Sequence, residues 1–270
     1  MERNKTTLLE FLNTSLDSGD RIFERFASLS GAVVGIGSEP LQRYVYIPGN
    51  RKDRVVLVSH IDTVWDKAYG KVLSEEREAE FKDGVFYSSN PNCGIGADDR
   101  AGCAMLWELR DCGHSILIVD GEEHGKRGVR YLKKTNRKLF RELNKHCYMM
   151  ELDWKGTDRC LFNQVDNTKR FKRHIEKVLG FVDDKAKAGT DLQVLCQRVC
   201  GVNLGVGYYG YHTSKERLVL AEWENTYDKL NVFLQKPQKR FRSKFFAPYL
   251  RLPKRCVNKA LRIAKGILKK

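Results

Sequence analysis

The stretch LIVDGEEHGKRG (residues 117–128) is an apolar run that stops abruptly at two adjacent glutamates among glycines. An apolar run without polar alternation is typical of a strand buried on both faces, and therefore of a sheet covered by helices. A single carboxylate at the mouth of such a strand is already costly to desolvate, and this chain places both Glu122 and Glu123 there. A pair of carboxylates that shares a cation would explain the arrangement.

Other segments of the chain repeat this pattern of apolar strands between amphipathic helices. The continuous strands and the helices alternate, which predicts a three-layer α/β/α sandwich with a mostly parallel or mixed central sheet. The predicted strands are VVLVSHID (55–62), SILIVD (115–120), CYMMELD (147–153) and GVNLGVG (201–207), and the predicted helices are the first twenty residues, DDRAGCAMLWELRDCG (98–113), Lys169–Leu179 and Ala221–Leu234.

Polar residues gather at one end of the predicted strands. Ligand sites in open α/β sheets form in the crevice at the carboxyl ends of the strands, so we expect these groups to converge. They are His60 and Asp62 after the first strand, Asp120, Glu122 and Glu123 after the second, Glu151 and Asp153 at the end of the third, and His212 shortly after the fourth.

Each of these groups also has a plain structural explanation. His60 and Asp62 lie two apart on an extended segment, so Asp62 can fix the imidazole tautomer, but a His-x-Asp at a strand end is often structural. Asp98 and Asp99 could cap the following helix, or one of them could bridge two cations. Glu122 and Glu123 could form a solvated turn, or one could bind a metal while the other acts as a general base.

Taken together, SHIDTV, GIGADDRAG, DGEEHGKRG, MELDWKG, GTDLQVL and LGVGYYGYHTSKERL occur in an order that resembles the co-catalytic di-zinc metallopeptidases, a clan of zinc aminopeptidases, carboxypeptidases and related amidohydrolases. The resemblance runs from about residue 50 to residue 235 and implies a zinc-peptidase-like fold. It also implies two Zn²⁺ ions, with Mn²⁺ or Co²⁺ as possible substitutes because the ligands are nitrogen and oxygen.

The resemblance implies a role for each matching residue. In the catalytic set, Glu122 is similar to the general base, and Asp62 is similar to the residue that orients a histidine ligand. The implied metal ligands are His60 and Asp153 for the first ion, Asp98 as the bridge, and Glu123 and His212 for the second ion, with Asp99 shaping the bridging loop. Many relatives insert a further domain, but only about forty residues separate Asp153 from GTDLQVL, so we expect one compact domain with a substrate pocket formed by loops. The candidate substrate contacts are Thr190, Asp191, Gly207 and Tyr208.

The charge of the chain is concentrated at its C-terminal end. Of the formal net charge of +15, thirteen charges come from Lys and Arg in residues 236–270, which contain no Asp or Glu, so residues 1–235 carry +2. We therefore divide the chain into a catalytic domain (1–235) and a basic tail (236–270). The tail contains an amphipathic helical pattern from Val257 to Leu268, and Phe241, Phe245, Phe246 and Tyr249 as aromatic anchors. Such a tail could contact an anionic membrane or nucleic acid, pack on the domain, bind a protein partner or act only as a solubilising segment.

These features favour a metal-dependent hydrolase of peptide or amide bonds, most similar to an aminopeptidase. The substrate would be a peptide or an acyl-amino acid. Two alternatives remain: a binding protein that acts through its basic tail, and a di-zinc amidohydrolase that deacylates a small molecule. No apolar stretch long enough for a membrane span or a signal sequence occurs, so we expect a cytoplasmic protein. The eight cysteines lack the spacing of a zinc ribbon, and we expect them to be reduced.

Overall fold

Eight helices and twelve strands make up the part of the chain that the computed structural model describes, which is residues 2–69, 77–162 and 165–244. The strands are β1 (Val33–Ile36), β2 (Arg43–Ile47), β3 (Val56–His60), β4 (Ala79–Lys82), β5 (Val85–Ser88), β6 (Ser115–Val119), β7 (Met149–Trp154), β8 (Arg159–Leu161), β9 (Val182–Asp183), β10 (Gly201–Gly205), β11 (Tyr208–Tyr209) and β12 (Arg217–Val219). The helices are α1 (Glu2–Leu12), α2 (Asp20–Ala27), α3 (Ala97–Glu108), α4 (Arg127–Thr135), α5 (Arg137–Leu143), α6 (Lys169–Leu179), α7 (Leu192–Leu195) and α8 (Leu220–Gln235). Within these ranges no helix is both long enough and apolar enough to cross a membrane.

An eight-stranded mixed sheet forms the centre of the fold, in the order β1-β2-β6-β3-β7-β10-β8-β9. Its four middle strands, β6, β3, β7 and β10, are parallel, whereas β1, β2 and β8 join by antiparallel pairing. The predicted α/β architecture with a mixed sheet between helices is therefore confirmed. The four parallel strands are the ones that the sequence predicts, because burial on both faces requires continuous apolar runs.

Apolar side chains from the sheet form two cores, one on each face. Along β3, Leu57 packs with α1, α2 and α3, while Val56 and Val58 point to the opposite face and pack with α4, α5 and α7. This alternation follows the two-residue period of a strand. The alternation puts α3 on one face of the sheet and α4 on the other.

A second sheet, in the order β11-β12-β5-β4, was absent from the sequence prediction. Its strands have two to four residues, and β4 exposes three of its four positions, so no apolar run marks it. The turn between β11 and β12 carries His212. The second sheet therefore supports the loop that brings His212 toward the end of the main sheet.

Helix α3 differs in detail from the predicted helix 98–113. It begins at Ala97 and ends at Glu108, five residues before the expected stop at Gly113. Asp98 and Asp99 lie inside its first turn but have non-helical backbone angles. Of the two, Asp99 performs the expected capping, because its Oδ1 accepts a hydrogen bond from Gly102 N (2.9 Å). The predicted helix Lys169–Leu179 is confirmed as α6, and Ala221–Leu234 lies within α8.

The first residues of the predicted basic tail pack against the domain. Phe241, proposed above as an exposed anchor, is only 6% exposed, and its ring lies 4.9 Å from His174, 5.2 Å from Phe171 and 6.0 Å from Tyr148. The anchor assignment is wrong for Phe241, because its backbone pairs with Cys147 and its ring fills the core beside α6. Phe245, Phe246, Tyr249 and the predicted helix Val257–Leu268 lie outside the described residues.

Replacing Phe241 with alanine tests whether residues 236–244 belong to the folded domain. Removing a buried phenylalanine leaves a cavity and costs about 3 kcal/mol or more of unfolding free energy, which urea denaturation measures directly. Phe81→Ala is the matched control, because Phe81 is 39% exposed and its loss should cost much less. Equal losses for the two variants would contradict the packing of this segment.

Candidate metal centre

Two groups of three side chains meet at the carboxyl ends of the parallel strands. In the first, His60 Nε2 lies 3.2 Å from Asp98 Oδ1 and 3.4 Å from Asp153 Oδ1. In the second, His212 Nε2 lies 3.1 Å from Asp98 Oδ2 and 2.6 Å from Glu123 Oε1. The two oxygens of Asp98 therefore face different groups, and the five residues predicted as ligands converge on one place.

The geometry of both groups fits divalent cations. Ligand atoms bound to a tetrahedral Zn²⁺ at 2.0–2.1 Å lie roughly 3.3 Å from one another. Three of the four separations are close to this value, and only the 2.6 Å contact of His212 with Glu123 is shorter. The donors are imidazole nitrogens and carboxylate oxygens, which suit Zn²⁺ and also Mn²⁺ or Co²⁺. Neither group contains a cysteine.

Asp62 lies behind His60 and holds it in place. His60 Nδ1 lies 3.1 Å from the backbone carbonyl of Asp62 and 3.3 Å from its carboxylate, which leaves Nε2 directed toward Asp98 and Asp153. The same carboxylate accepts hydrogen bonds from the backbone N–H groups of Glu122 and Glu123, both at 3.1 Å. One buried carboxylate therefore sets the orientation of a predicted ligand and the position of the paired glutamates.

Helix α3 can deliver Asp98 to the centre because glycine lets the helix approach the sheet. A Cβ on Gly102 would lie 2.0 Å from Leu152 O and 2.4 Å from Asp99 Oδ1, distances that no side chain tolerates. Asp99 is fully buried and accepts hydrogen bonds from the Ser59 hydroxyl and from His60 N (3.2 Å). Asp99 thus ties α3 to the end of β3, in agreement with its predicted role in the loop.

Glu216 is a support that the sequence did not reveal. Its carboxylate accepts hydrogen bonds from Gly96 N (2.7 Å) and Asp98 N (3.0 Å), and its side chain is buried. These bonds fix the loop that carries Asp98. The residue lies 118 positions from Asp98 along the chain, in a polar turn, so no local pattern indicates its partner.

Asp153 is held by two neighbours. The Asn203 side chain accepts a hydrogen bond from Asp153 N (2.9 Å) and donates to Asp153 Oδ2 (3.3 Å). The Tyr208 hydroxyl lies 3.3 Å from Asp153 Oδ1 and 3.1 Å from its backbone carbonyl. Tyr208 is 2% exposed, so in this structure its polar contacts are with a predicted ligand. Gly207, with φ of +88°, has its backbone N–H and carbonyl bonded to Gly156 and Val219.

The remaining predicted contacts, Thr190 and Asp191, belong to a buried polar cluster beside the paired glutamates. Asp191 N donates to Glu151 Oε1 (3.1 Å), and Lys126 Nζ lies 3.1 Å from Glu122 Oε1. Neither carboxylate oxygen of Asp191 has a hydrogen-bond partner among the described residues. Glu151 received no role in the sequence analysis, although its position two residues before Asp153 placed it on the same face of β7.

The electrostatics of the protein groups alone disfavour so many ionised carboxylates. Burial, reinforced by Asp153, raises the pKa of Glu151 well above its ordinary value, and burial with the charge of Asp98 raises the pKa of Glu123. Burial also raises the pKa of Glu122, while His60 and Lys126 oppose the increase. For His60, burial lowers the pKa, but Asp153, Asp62 and Asp98 together raise it well above the usual range. Cations at the two groups would supply the positive charge that these carboxylates need.

No protein-family model matches the sequence, and no curated protein matches it. Solved structures do match over most of their length, and those that match include proteins named as aminopeptidases and peptidases and one named as an endoglucanase.

Three of these structures illustrate the likeness. The chain is similar to aminopeptidase PepT from Bacillus cereus at 16% identity over 87% of this chain and 98% of that chain, with a TM-score of 0.64. For a tripeptidase from Staphylococcus aureus the identity is 14%, the coverage 87% and 97%, and the TM-score 0.60. For the TET1 peptidase from Pyrococcus horikoshii the identity is 13% over 86% of this chain and 99% of that chain, and the TM-score is 0.58. At these identities the likeness establishes the fold, and the fold implied by the resemblance to the di-zinc metallopeptidases is confirmed.

Metal analysis of single variants tests the geometry of the centre. The unmodified chain should bind close to two divalent ions, because there are two groups of ligands. His60→Ala and His212→Ala should each remove one ion, whereas Asp98→Ala should weaken both sites because both groups share this carboxylate. Elemental analysis of dialysed protein and zinc titration calorimetry measure the stoichiometry.

His124→Ala is the control, since His124 adjoins Glu123 but belongs to neither group. It should retain both ions. Loss of a single ion in Asp98→Ala, or an unchanged stoichiometry in His60→Ala, would contradict the shared-carboxylate arrangement.

Proposed function

We propose that the chain is a metal-dependent hydrolase of peptide bonds, an exopeptidase of the aminopeptidase kind. The observation that carries the proposal is the position of Asp98, whose two carboxylate oxygens each lie within about 3.2 Å of a different histidine. The paired glutamates lie at the same edge of the sheet, held by Asp62. The names of the similar structures, aminopeptidase and tripeptidase, favour peptides as the substrate class.

The ligand roles follow from the two groups of side chains. His60 and Asp153 would hold one cation, Glu123 and His212 the other, and Asp98 both. Two divalent cations, when bound, lower the pKa of a water molecule and polarise the carbonyl of the scissile bond. Zn²⁺ fits the donor set, and Mn²⁺ or Co²⁺ could replace it.

Glu122 would move the proton. It adjoins the ligand Glu123, its backbone is fixed by Asp62, and its side chain is 9% exposed. In the proposed reaction its carboxylate accepts a proton from the attacking water and passes it to the nitrogen of the departing amine. The ammonium of Lys126 lies 3.1 Å from Glu122 Oε1 and favours the ionised carboxylate, which is the form that can accept a proton.

Asp62 would act through His60, by keeping the Nε2 lone pair of the imidazole directed at the first cation. Of the four predicted substrate contacts, Asp191 alone combines a buried carboxylate with two oxygens that lack a partner among the described residues. Asp191 is therefore the one of the four whose carboxylate oxygens can accept hydrogen bonds from a substrate. The substrate roles of Thr190, Gly207 and Tyr208 stay predictions.

The variant Glu122→Gln separates the base from the ligands. The amide keeps the size of the side chain but cannot accept the proton, so kcat should fall by about 10²-fold or more while the metal content stays the same. Rates of hydrolysis of tripeptides and aminoacyl-anilides, with Zn²⁺, Mn²⁺ and Co²⁺ each supplied, are the measurement. Glu176→Gln, on the exposed surface of α6, is the control and should retain full activity. A Glu122→Gln enzyme with more than about a third of normal kcat would exclude Glu122 as the base.

Acetylation of the substrate distinguishes an aminopeptidase from a deacylase. An enzyme that reads a free N-terminus should cleave Ala-Ala-Ala and leave N-acetyl-Ala-Ala-Ala intact, because the charged ammonium contributes to binding only in the first. Chromatography of the products shows which bond is cut. Release of acetate from the blocked peptide, with the free peptide untouched, would instead establish the amidohydrolase alternative.

A further inference from the structure

A groove with only basic charges lies on the face of the molecule formed by α4, α5 and α7. It encloses about 670 Å³, and no Asp or Glu lines it. Asparagine, glutamine, Phe140 and Val194 complete its walls. Six cationic side chains line it: Arg130, Lys133, Lys134, Arg137, Arg141 and Arg198.

These cations differ from many others on the body of the protein. Arg43, Lys172 and Lys229, for example, each contact an aspartate. By contrast, the five cations of α4 and α5 that line the groove form no ion pair with a carboxylate in the described ranges, and all five side chains are exposed. Lys133 and Lys134 lie three and four residues after Arg130 on α4, and Arg141 lies four residues after Arg137 on α5, so these side chains lie about 5–6 Å from their neighbours on the same helix. Like charges at this spacing repel one another weakly, and a bound anion would relieve that repulsion.

The groove is preformed by the structure beneath it. Asn144 at the end of α5 donates to Leu195 O (2.9 Å) and accepts from Gln197 N (3.0 Å) and Arg198 N (2.8 Å), so it locks α5 to the turn after α7. These hydrogen bonds fix the distance between α5 and the turn after α7, which form two walls of the groove. The Asn144 side chain is used entirely in these internal bonds and in one to Phe140 O, so its role is to hold the walls of the groove together.

The first part of the basic tail extends the same surface. Arg240 donates to Asn144 O (3.0 Å), and Ser243 N donates to Arg198 O (3.3 Å). Residues 240–243 therefore run along the rim beside Arg198 and add Arg240 and Arg242 to the positive surface. Eight further Lys and Arg residues follow in the sequence from 245 to 270, with no acidic residue.

We propose that this groove binds the sugar-phosphate backbone of a nucleic acid. Six cations exceed what one phosphate can neutralise, so the ligand is a multivalent anion. A protein partner would need an apolar or aromatic centre to its interface, and here the only apolar side chains are the buried Phe140 and the partly buried Val194. Arginine predominates, and its planar guanidinium matches a phosphate through two parallel hydrogen bonds. Because the walls hold no exposed aromatic side chain, binding would be to the backbone and independent of base sequence.

Fluorescence anisotropy on the full chain tests the proposal, with labelled single-stranded and duplex DNA of about 20 nucleotides per strand as probes. The variant changes Arg130, Lys133, Lys134 and Arg137 to glutamine. We expect its Kd at low salt to be at least about tenfold weaker, and the slope of log K against log salt to become shallower by about 3, since four phosphate contacts are lost.

The control changes four exposed cations of α6, Lys169, Arg170, Arg173 and Lys177, to glutamine, which removes the same charge from another face. Its Kd should change by less than about threefold, because these side chains lie outside the groove. Thermal unfolding of both variants checks that each is folded. Equal weakening in the two variants would assign binding to net charge and overturn the groove.

Two further outcomes would also overturn the proposal. One is an unmodified chain that binds neither probe below about 100 μM at low salt, which is weaker than ordinary non-specific binding. The other is poly-glutamate displacing DNA as effectively as unlabelled DNA does at equal charge, which would identify an acidic polypeptide as the partner. The proposal does not depend on the proposed hydrolase activity, because none of the changed residues belongs to the metal centre.

Discussion

The central constraint on this structure is the repulsion between the carboxylates that lie together at one edge of its sheet. Asp98, Glu123 and Asp153 lie with two histidines in a space where Asp62, Asp99, Glu122 and Glu151 are also buried or nearly so. Ionised carboxylates at this density cannot be stable in a protein interior without compensating positive charge. Burial, reinforced by the charge of Asp153, raises the pKa of Asp99 and of Glu151 well above their ordinary values. Divalent cations held by the two groups of side chains that share Asp98 would supply this compensation.

The close approach of α3 to the sheet and several buried hydrogen bonds position the five candidate ligands. Parallel pairing of β3 with β6 and β7 puts His60, the glutamate loop and Asp153 side by side at one end of the sheet. Gly102 lets α3 lie against β7, and Glu216 fixes the loop before it, so Asp98 reaches between the strands. The groove lies on the opposite face of the sheet from α3. Helix α4 therefore links the two sites, since it begins four residues after Glu123 and carries three of the groove cations.

The central sheet could be predicted from the sequence, and the five candidate ligands could be singled out, because both have local signals. Continuous apolar runs mark the four parallel strands, and His60, Glu123 and Asp153 lie at or just beyond the ends of three of them. Asp98 lies at the start of α3, whereas His212 lies in the turn between β11 and β12 of the second sheet. Glu216 could not be predicted in the same way, because its role is to hold a loop 118 residues away. Phe241 was misassigned for a related reason. In a basic segment it looks like an anchor, whereas its partners Tyr148, Phe171 and His174 lie far away in sequence. The four-stranded sheet was missed because its strands are short and partly exposed.

Anomalous diffraction from crystals of the zinc-loaded chain tests the central claim most directly. The account predicts two zinc peaks about 3.5–4 Å apart, one between His60 and Asp153 and the other between Glu123 and His212, with the carboxylate of Asp98 bound to both. A single peak, or zinc bound elsewhere while these five side chains point in unrelated directions, would contradict it.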